Sequence, residues 1–132
     1  MIGSRISTGS TFEELASYSR VAIVPDPHGD WCYVSGTTGF DYRTMTMSPE
    51  LEKQAHQCFH NIQHALEKAG TSLNNVVQIR VYLAKRKDFE KVAAIVGQYM
   101  HAARPANTTV VCEFVDEAMK IEIDCIARKS AA

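Results

Sequence analysis

Three short runs, VAIV (21–24), VV (76–77) and VV (110–111), are apolar at successive positions. Successive side chains of a strand point to opposite faces, so these runs put apolar groups on both sides of a sheet. Only two segments carry the spacing of a packed helix. The first opens at SPELE (48–52), shows Leu51, Ala55, Cys58, Phe59, Ile62, Ala65, Leu66 and Ala69 as one stripe, and ends at Gly70. The second is DFEKVAAIVGQYM (88–100), with Asp88 as its cap and Phe89, Val92, Ala93, Val96 and Tyr99 on one side. Two helices cover one face of such a sheet. The bare face then calls for a partner copy, in a closed symmetric oligomer.

The remaining strands follow from alternation and turn chemistry. SRVAIVP (19–25) stops at Pro25, DPHG (26–29) turns, and DWCYVSG (30–36) returns, which predicts a hairpin. Ser48, Pro49 and the acidic Glu50 and Glu52 suit a helix start. NVVQIRVYLA (75–84) reads as a third strand. TTVVCEFV (108–115) and AMKIEIDCIA (118–127) read as a closing hairpin. In its last strand Met119, Ile121, Ile123 and Cys125 face one way, and Lys120, Glu122 and Asp124 the other. The order is β-β-α-β-α-β-β in one domain spanning 1–132, with a short extra strand at Arg5–Ser7.

Charge excludes some functions. With 14 basic and 15 acidic residues the net charge is -1, which gives no basic stripe for nucleic acid or for an anionic membrane. The opening MIGSRISTGS has no apolar h-region, so no signal or transit peptide is expected. No apolar run approaches the roughly 18 residues of a membrane span. Cys32, Cys58, Cys112 and Cys125 form no CxxC pair and read as reduced, packed thiols of a cytoplasmic protein.

YSRVA (18–22), VSG (34–36), Gln54 with CFHNI (58–62), AG (69–70), VVQIRVYL (76–83), DF (88–89), Pro105 and KIEIDCIA (120–127) occur together in this order. In these motifs the chain resembles the YjgF/RidA family, the reactive intermediate (enamine/imine) deaminases. The resemblance runs from about residue 16 to residue 127. It implies an α+β, chorismate-mutase-like fold: a mixed sheet with two helices on one face. It also implies a homotrimer whose sheets form a central β-barrel, with a small-molecule cleft at each subunit boundary. It implies no cofactor and no metal.

The same resemblance implies site residues. Active members carry a glutamate on the last strand that positions the attacking water, and it matches Glu122. A tyrosine near the start matches Tyr18, and the glycine of the SG turn matches Gly36. An arginine that holds the substrate carboxylate sits two residues after the proline opening the fifth main strand. Here that position is Asn107. Phe89 of the DF motif falls in the same implied pocket. Thr37 and Thr38 replace a more usual glutamine and apolar residue, and Thr109 stands where active relatives often have cysteine.

Asn107 within RPANTTV (104–110) therefore decides the functional reading. A guanidinium pairs with a carboxylate bidentately, whereas a shorter amide donates one or two neutral hydrogen bonds. The lost contact lowers activity on a small 2-imino acid by on the order of tenfold to several hundredfold. Asn107 is then either a strand-start residue or a donor to a neutral or amide-bearing ligand. Arg104, Arg20 and Arg80 are the arginines that could stand in. Glu122 is either a cleft base or part of a solvated polar face, and Tyr18 is either a pocket hydroxyl or an ordinary strand aromatic.

His56, His60 and His64 lie at i, i+4 and i+8, a zinc-compatible spacing, but on the polar face of the first helix. A solvated face is the simpler reading. The expectation is a homotrimer that binds a small metabolite and acts on an enamine, imine or amide other than the usual 2-imino acids. The alternative is a non-catalytic ligand-binding or regulatory trimer. The label of ribonuclease or translation inhibitor, which some members carry, fits the neutral charge less well.

Overall fold

In the computed structural model, which describes residues 3–130, six strands form one mixed sheet in the order β1-β2-β3-β8-β6-β7. The strands are β1 (Arg5–Ile6), β2 (Val21–Val24), β3 (Trp31–Thr38), β6 (Val76–Leu83), β7 (Ala106–Val111) and β8 (Ile121–Arg128). A two-stranded ribbon, β4 (Phe40–Asp41) and β5 (Thr46–Met47), lies outside it. The helices are α1 (Thr11–Ala16), α2 (Leu51–Lys68) and α3 (Phe89–Met100).

The expected hairpin of β2 and β3 forms, with Ala22 opposite Tyr33 and Val24 opposite Trp31. The expected closing hairpin does not. β7 pairs in parallel with β6, and β8 inserts between β3 and β6, antiparallel to both. Local pattern marked two strands near in sequence, but their partners are set by burial. The alternate residues Ile121, Ile123, Cys125 and Ala127 are fully buried, as suits a central strand, whereas β7 is exposed along most of its length.

Helix α2 lays its stripe on the sheet. Phe59, Ile62 and Leu66 pack in one core with Ile79, Val81, Leu83, Ile121 and Ile123. Burying each such side chain contributes about 1.5–3 kcal/mol. Gly70, at φ 86, ends the helix. The Gly70 amide donates to the Glu67 carbonyl (3.0 Å) and the Thr71 amide to the Leu66 carbonyl (2.9 Å), the paired closure that a left-handed residue permits. Ser48 does not cap: α2 begins at Leu51, and the Ser48 hydroxyl accepts from the Glu50 amide instead. Asp88 makes no side-chain cap either.

Helix α1 was not anticipated, although its signature is present. The Ser10 hydroxyl accepts from the Glu13 amide while the Glu13 carboxylate reaches back to the Ser10 amide, a full capping box. Strand β8 alternates cleanly: Glu122, Asp124 and Ile126 lie on the face opposite the helices. That face is uncovered, and Tyr33 and Val110 are exposed at 46% and 43%. No helix among the described residues is long and apolar enough to cross a membrane.

Candidate functional site

Arg20, just before β2, organises the site. It is buried at 1% exposure among residues the sequence leaves scattered. One terminal nitrogen, Nη1, donates to the Gly36 carbonyl (2.7 Å) and the Thr37 hydroxyl (3.1 Å). The other, Nη2, lies 3.4 Å from Glu13 Oε2. Its guanidinium carbon sits 4.5 Å from the Tyr42 ring centre and 5.7 Å from that of Tyr18, within cation–π range.

The register explains how Gly36 reaches this group. Val34 pairs with Cys125 and Thr37 with Ile123, so β3 spends one residue more than β8 over the same span. That bulge bends the strand and turns the Gly36 carbonyl toward Arg20. It also brings Gly36 under Glu122. A Cβ built on Gly36 would lie 3.0 Å from both Cδ and Oε1 of Glu122. A side chain at 36 would press on the carboxylate and require it to shift by a few tenths of an ångström.

Glu122 is half-buried, and its carboxylate accepts no side-chain or backbone hydrogen bond from the described residues. Burial pushes its carboxyl above the ordinary range, Asp124 adds to this, and Arg20 partly offsets it. Asp124, two residues on, is occupied: Arg80 Nε donates to its Oδ1 and the Tyr82 hydroxyl to its Oδ2, both at 2.8 Å. A cavity of about 450 Å³ opens on this face beside Tyr33, Gly36, Gln78, Arg80 and Asp124.

The structure thus gathers Tyr18, Gly36, Thr37 and Glu122 around Arg20. Thr37 is fully buried, and its hydroxyl donates to the Ser35 carbonyl while accepting from Arg20. Within one chain it braces the guanidinium from inside and lines none of the cavity beside Gly36.

The other expected residues lie elsewhere. Asn107 pairs with Ile79 and Thr109 with Val81. Both partners are buried beneath the helices, so Asn107 and Thr109 belong to that side of the sheet, two strands from Glu122. Asn107 and Arg104 line a separate groove of about 270 Å³ with Val96, Gly97 and Met100. The Thr109 hydroxyl donates to Asn107 Oδ1 (2.9 Å), and the amide nitrogen makes no hydrogen bond among the described residues. Phe89 opens α3 and is half exposed. One chain does not bring the two groups together.

The histidine stripe is not a three-ligand site. Tyr99 from α3 sits between His56 Nδ1 (2.7 Å) and His60 Nε2 (3.3 Å), with its ring stacked on Phe59. Among the described residues no group of three His, Cys, Asp or Glu is placed to hold a metal ion. Cys32, Cys58 and Cys125 are buried, and Cys112 is partly so. Burial raises the Cys125 thiol to about 12, so it stays protonated.

Sequence reading named Arg20 only as a possible stand-in and missed its pairing with Glu13. The readable signal was the S-x-x-E pattern at Ser10–Glu13 followed by an arginine at the mouth of an apolar strand.

The six-stranded mixed sheet with helices packed on one face defines an α+β protein of the YjgF/YER057c/UK114 type. The solved structure of a member from Mycobacterium tuberculosis superposes with a TM-score of 0.83 at 26% identity, covering 95% of this chain and 98% of that one. The family model described as Endoribonuclease L-PSP matches residues 8–129. The chain belongs to this family, also called YjgF/RidA. A RutC family protein of Pyrococcus abyssi is 31% identical over 125 residues, 94% of this chain and 95% of the relative. A Dermatophagoides farinae protein named 2-iminobutanoate/2-iminopropanoate deaminase is 25% identical over 122 residues, 92% of each chain.

Proposed function

We propose that the chain assembles as a homotrimer through its bare sheet face and binds a small metabolite in the clefts between copies. There Glu122 positions a water for attack on a C=N or C–N bond. The water oxygen bonds to the carbon, nitrogen leaves as ammonia or amine, and a carbonyl remains. The substrate is an enamine, imine or amide other than the usual small 2-imino acids. No metal or cofactor takes part.

One observation carries this reading: Glu122 lies over Gly36, half-buried, with no hydrogen bond from the described residues and with a raised pKa. A carboxylate so placed is a stronger base than one in water, and it has no internal partner to satisfy. The comparison with a relative named as an imine deaminase supports the reaction class. The separation of Glu122 from Asn107 supports the intersubunit cleft, since a second copy can bring a β7 edge to the bare face that its own chain cannot. The neutral side chain at 107 argues against a 2-imino acid.

The test is ammonia release from freshly generated 2-iminobutanoate, with sedimentation of the same sample. Slow turnover by a trimer is expected. Brisk release would overturn the reading of Asn107, and a lone stable molecule in dilute solution would sink the cleft. The neutral residue at 107 also favours a second reading, a trimer that binds ligand without turning it over. Saturable binding that Glu122→Gln leaves unaltered, with no turnover of any imine, would establish it.

A further inference from the structure

A second concavity lies away from the bare face. Its volume is about 420 Å³, and one wall is the face of α2 that carries His60, His64 and Lys68. The facing wall is the β4–β5 ribbon, through Asp41 and, from its turn, Arg43. The side chain of Arg20 also lines it. Helix α2 covers the side of the sheet opposite Glu122, so assembly through the bare face leaves this cavity open.

Two observations mark it as more than a solvated helix face. First, Arg20 is 1% exposed, and its Nε is the one buried side-chain polar atom among the described residues without a hydrogen-bond partner. Nη1 and Nη2 are engaged by Gly36, Thr37 and Glu13, so one donor is left over on a side chain that lines the cavity. Leaving a buried donor unpaired costs stability, which an acceptor in the cavity relieves. Second, the charges on the walls are unequally matched. Arg43 meets Asp41 twice, Nε to Oδ1 at 3.3 Å and Nη2 to Oδ2 at 3.2 Å, so that pair is neutral. Arg20 is offset by Glu13. Lys68 and His64 enter no ion pair and no side-chain hydrogen bond among the described residues. Asp41 is the only acid that lines the cavity among the described residues, and it is taken.

The donor set chooses among anions. A carboxylate is best held by a guanidinium fork, and the fork here, Arg43, is already used by Asp41. What remains is an ammonium and imidazole nitrogens at i, i+4 and i+8, about 6 Å apart along α2. Tyr99 lies 3.3 Å from His60 Nε2, so His64 and Lys68 are the free pair. A tetrahedral phosphate offers oxygens in several directions and bridges point donors at that spacing. This stretch is the negative end of α2, but the Ala65, Leu66 and Glu67 carbonyls already accept from the amides of Ala69, Thr71 and Gly70. The volume of about 420 Å³ is that of a small-molecule pocket, so a small organic group fits beside the phosphate.

We infer that this cavity is a second ligand site, that it takes a small phosphate ester, and that Lys68 and His64 grip the phosphate while Arg20 and the Asp41–Arg43 pair bound the rest. The site does not rest on the role of Glu122, since its walls come from α2 and the ribbon. Arg20 joins the two regions: the guanidinium whose Nη1 holds the Gly36 carbonyl also lines this cavity.

The test compares glycerol 3-phosphate with glycerol on the purified full chain, with binding read by ligand NMR at fixed pH and salt. The wild type should bind the phosphate ester saturably and glycerol not at all, and inorganic phosphate should compete. Lys68→Ala should weaken the ester about tenfold, through loss of one charge-assisted contact. Lys68→Arg should keep most of the affinity, because the charge stays. His64→Ala should weaken it about threefold, the worth of a neutral hydrogen bond. Both residues are exposed, so these variants should fold as the wild type does and release ammonia from 2-iminobutanoate at its rate. No saturable binding by the wild type, or unaltered affinity in the Lys68→Ala/His64→Ala double variant, would overturn the site. Turnover lost together with binding in Lys68→Ala would overturn its independence from Glu122.

Discussion

Two carboxylates share the field of Arg20 and end in opposite states. Burial works against the charge of Glu13, but hydrogen bonds from Thr8 and Ser10 and the Arg20 charge outweigh it and hold its pKa at about 2. Its oxygens accept from the Ser7, Thr8 and Ser10 hydroxyls and from the Thr8 amide. Glu122 feels the same guanidinium from beyond Gly36, but burial and Asp124 prevail, and its pKa rises. Proximity to one cation does not decide a carboxylate's role. The hydrogen-bond count does: a saturated acid builds the fold, and an unsaturated one is left for chemistry.

The largest test breaks the cation itself. Arg20→Met removes one partner of a buried pair and leaves Glu13 charged at 4% exposure. The expected loss is about 3–5 kcal/mol by chemical denaturation. A change under about 1 kcal/mol would mean that the hydroxyl and amide donors alone hold Glu13, and the comparison would lose its pivot. The linkage has a definite sign. Because the folded pKa of Glu13 is depressed, its contribution is present above about 4.5 and is lost as pH falls toward about 2. Wild-type stability should therefore drop across that window.

Glu122 should behave in the reverse way. Glu122→Gln removes a group whose folded pKa is raised, so its ionisation costs the fold stability, a loss that begins to build as pH rises past 4.5 and is complete above the raised value. The variant should be as stable as wild type or more so near pH 8, and the difference should vanish below the ordinary carboxylate value of 4.5. Turnover should fall about a hundredfold, the lower range for a lost general base. In the wild type, activity that needs the ionised carboxylate should climb as pH rises through the raised pKa. A Glu122→Gln protein that is both less stable at pH 8 and fully active would reverse the assignment of the two acids.

How much of this was legible depended on whether the determining contact was local. The stripe on α2, its stop at Gly70 and the alternation of β8 are short-range patterns, and they were read correctly. The same alternation put Glu122 and Asp124 on one face. The pairing of β7 with β6 was not legible, because a parallel neighbour is chosen by packing across the sheet and leaves no turn between the strands. Nor was the bulge at Ser35–Gly36. A glycine after serine looks like the end of a strand, whereas β3 runs on to Thr38. The role of Arg20 needed both missing pieces, since its partners come from α1 and from the bulge. Asn107 could be located but not joined to Glu122, because the chain puts them two strands apart on opposite sides.

Two smaller tests probe that separated edge. Asn107→Arg restores a guanidinium at the β7 position. If the cleft between copies brings this edge to a neighbour's Glu122, 2-iminobutanoate turnover should rise by about tenfold, the worth of one charge-assisted contact. No gain would mean that the cleft does not bring this edge to a neighbour's Glu122. Thr109→Val is the mildest change. It removes the hydroxyl that donates to Asn107 Oδ1, on an exposed strand, so stability should stay within about 0.5 kcal/mol. An effect on ligand affinity without an effect on stability would show that the orientation of Asn107 matters to binding. Silence in both would leave 107 as a strand-start residue and put the recognition on the side of Glu122.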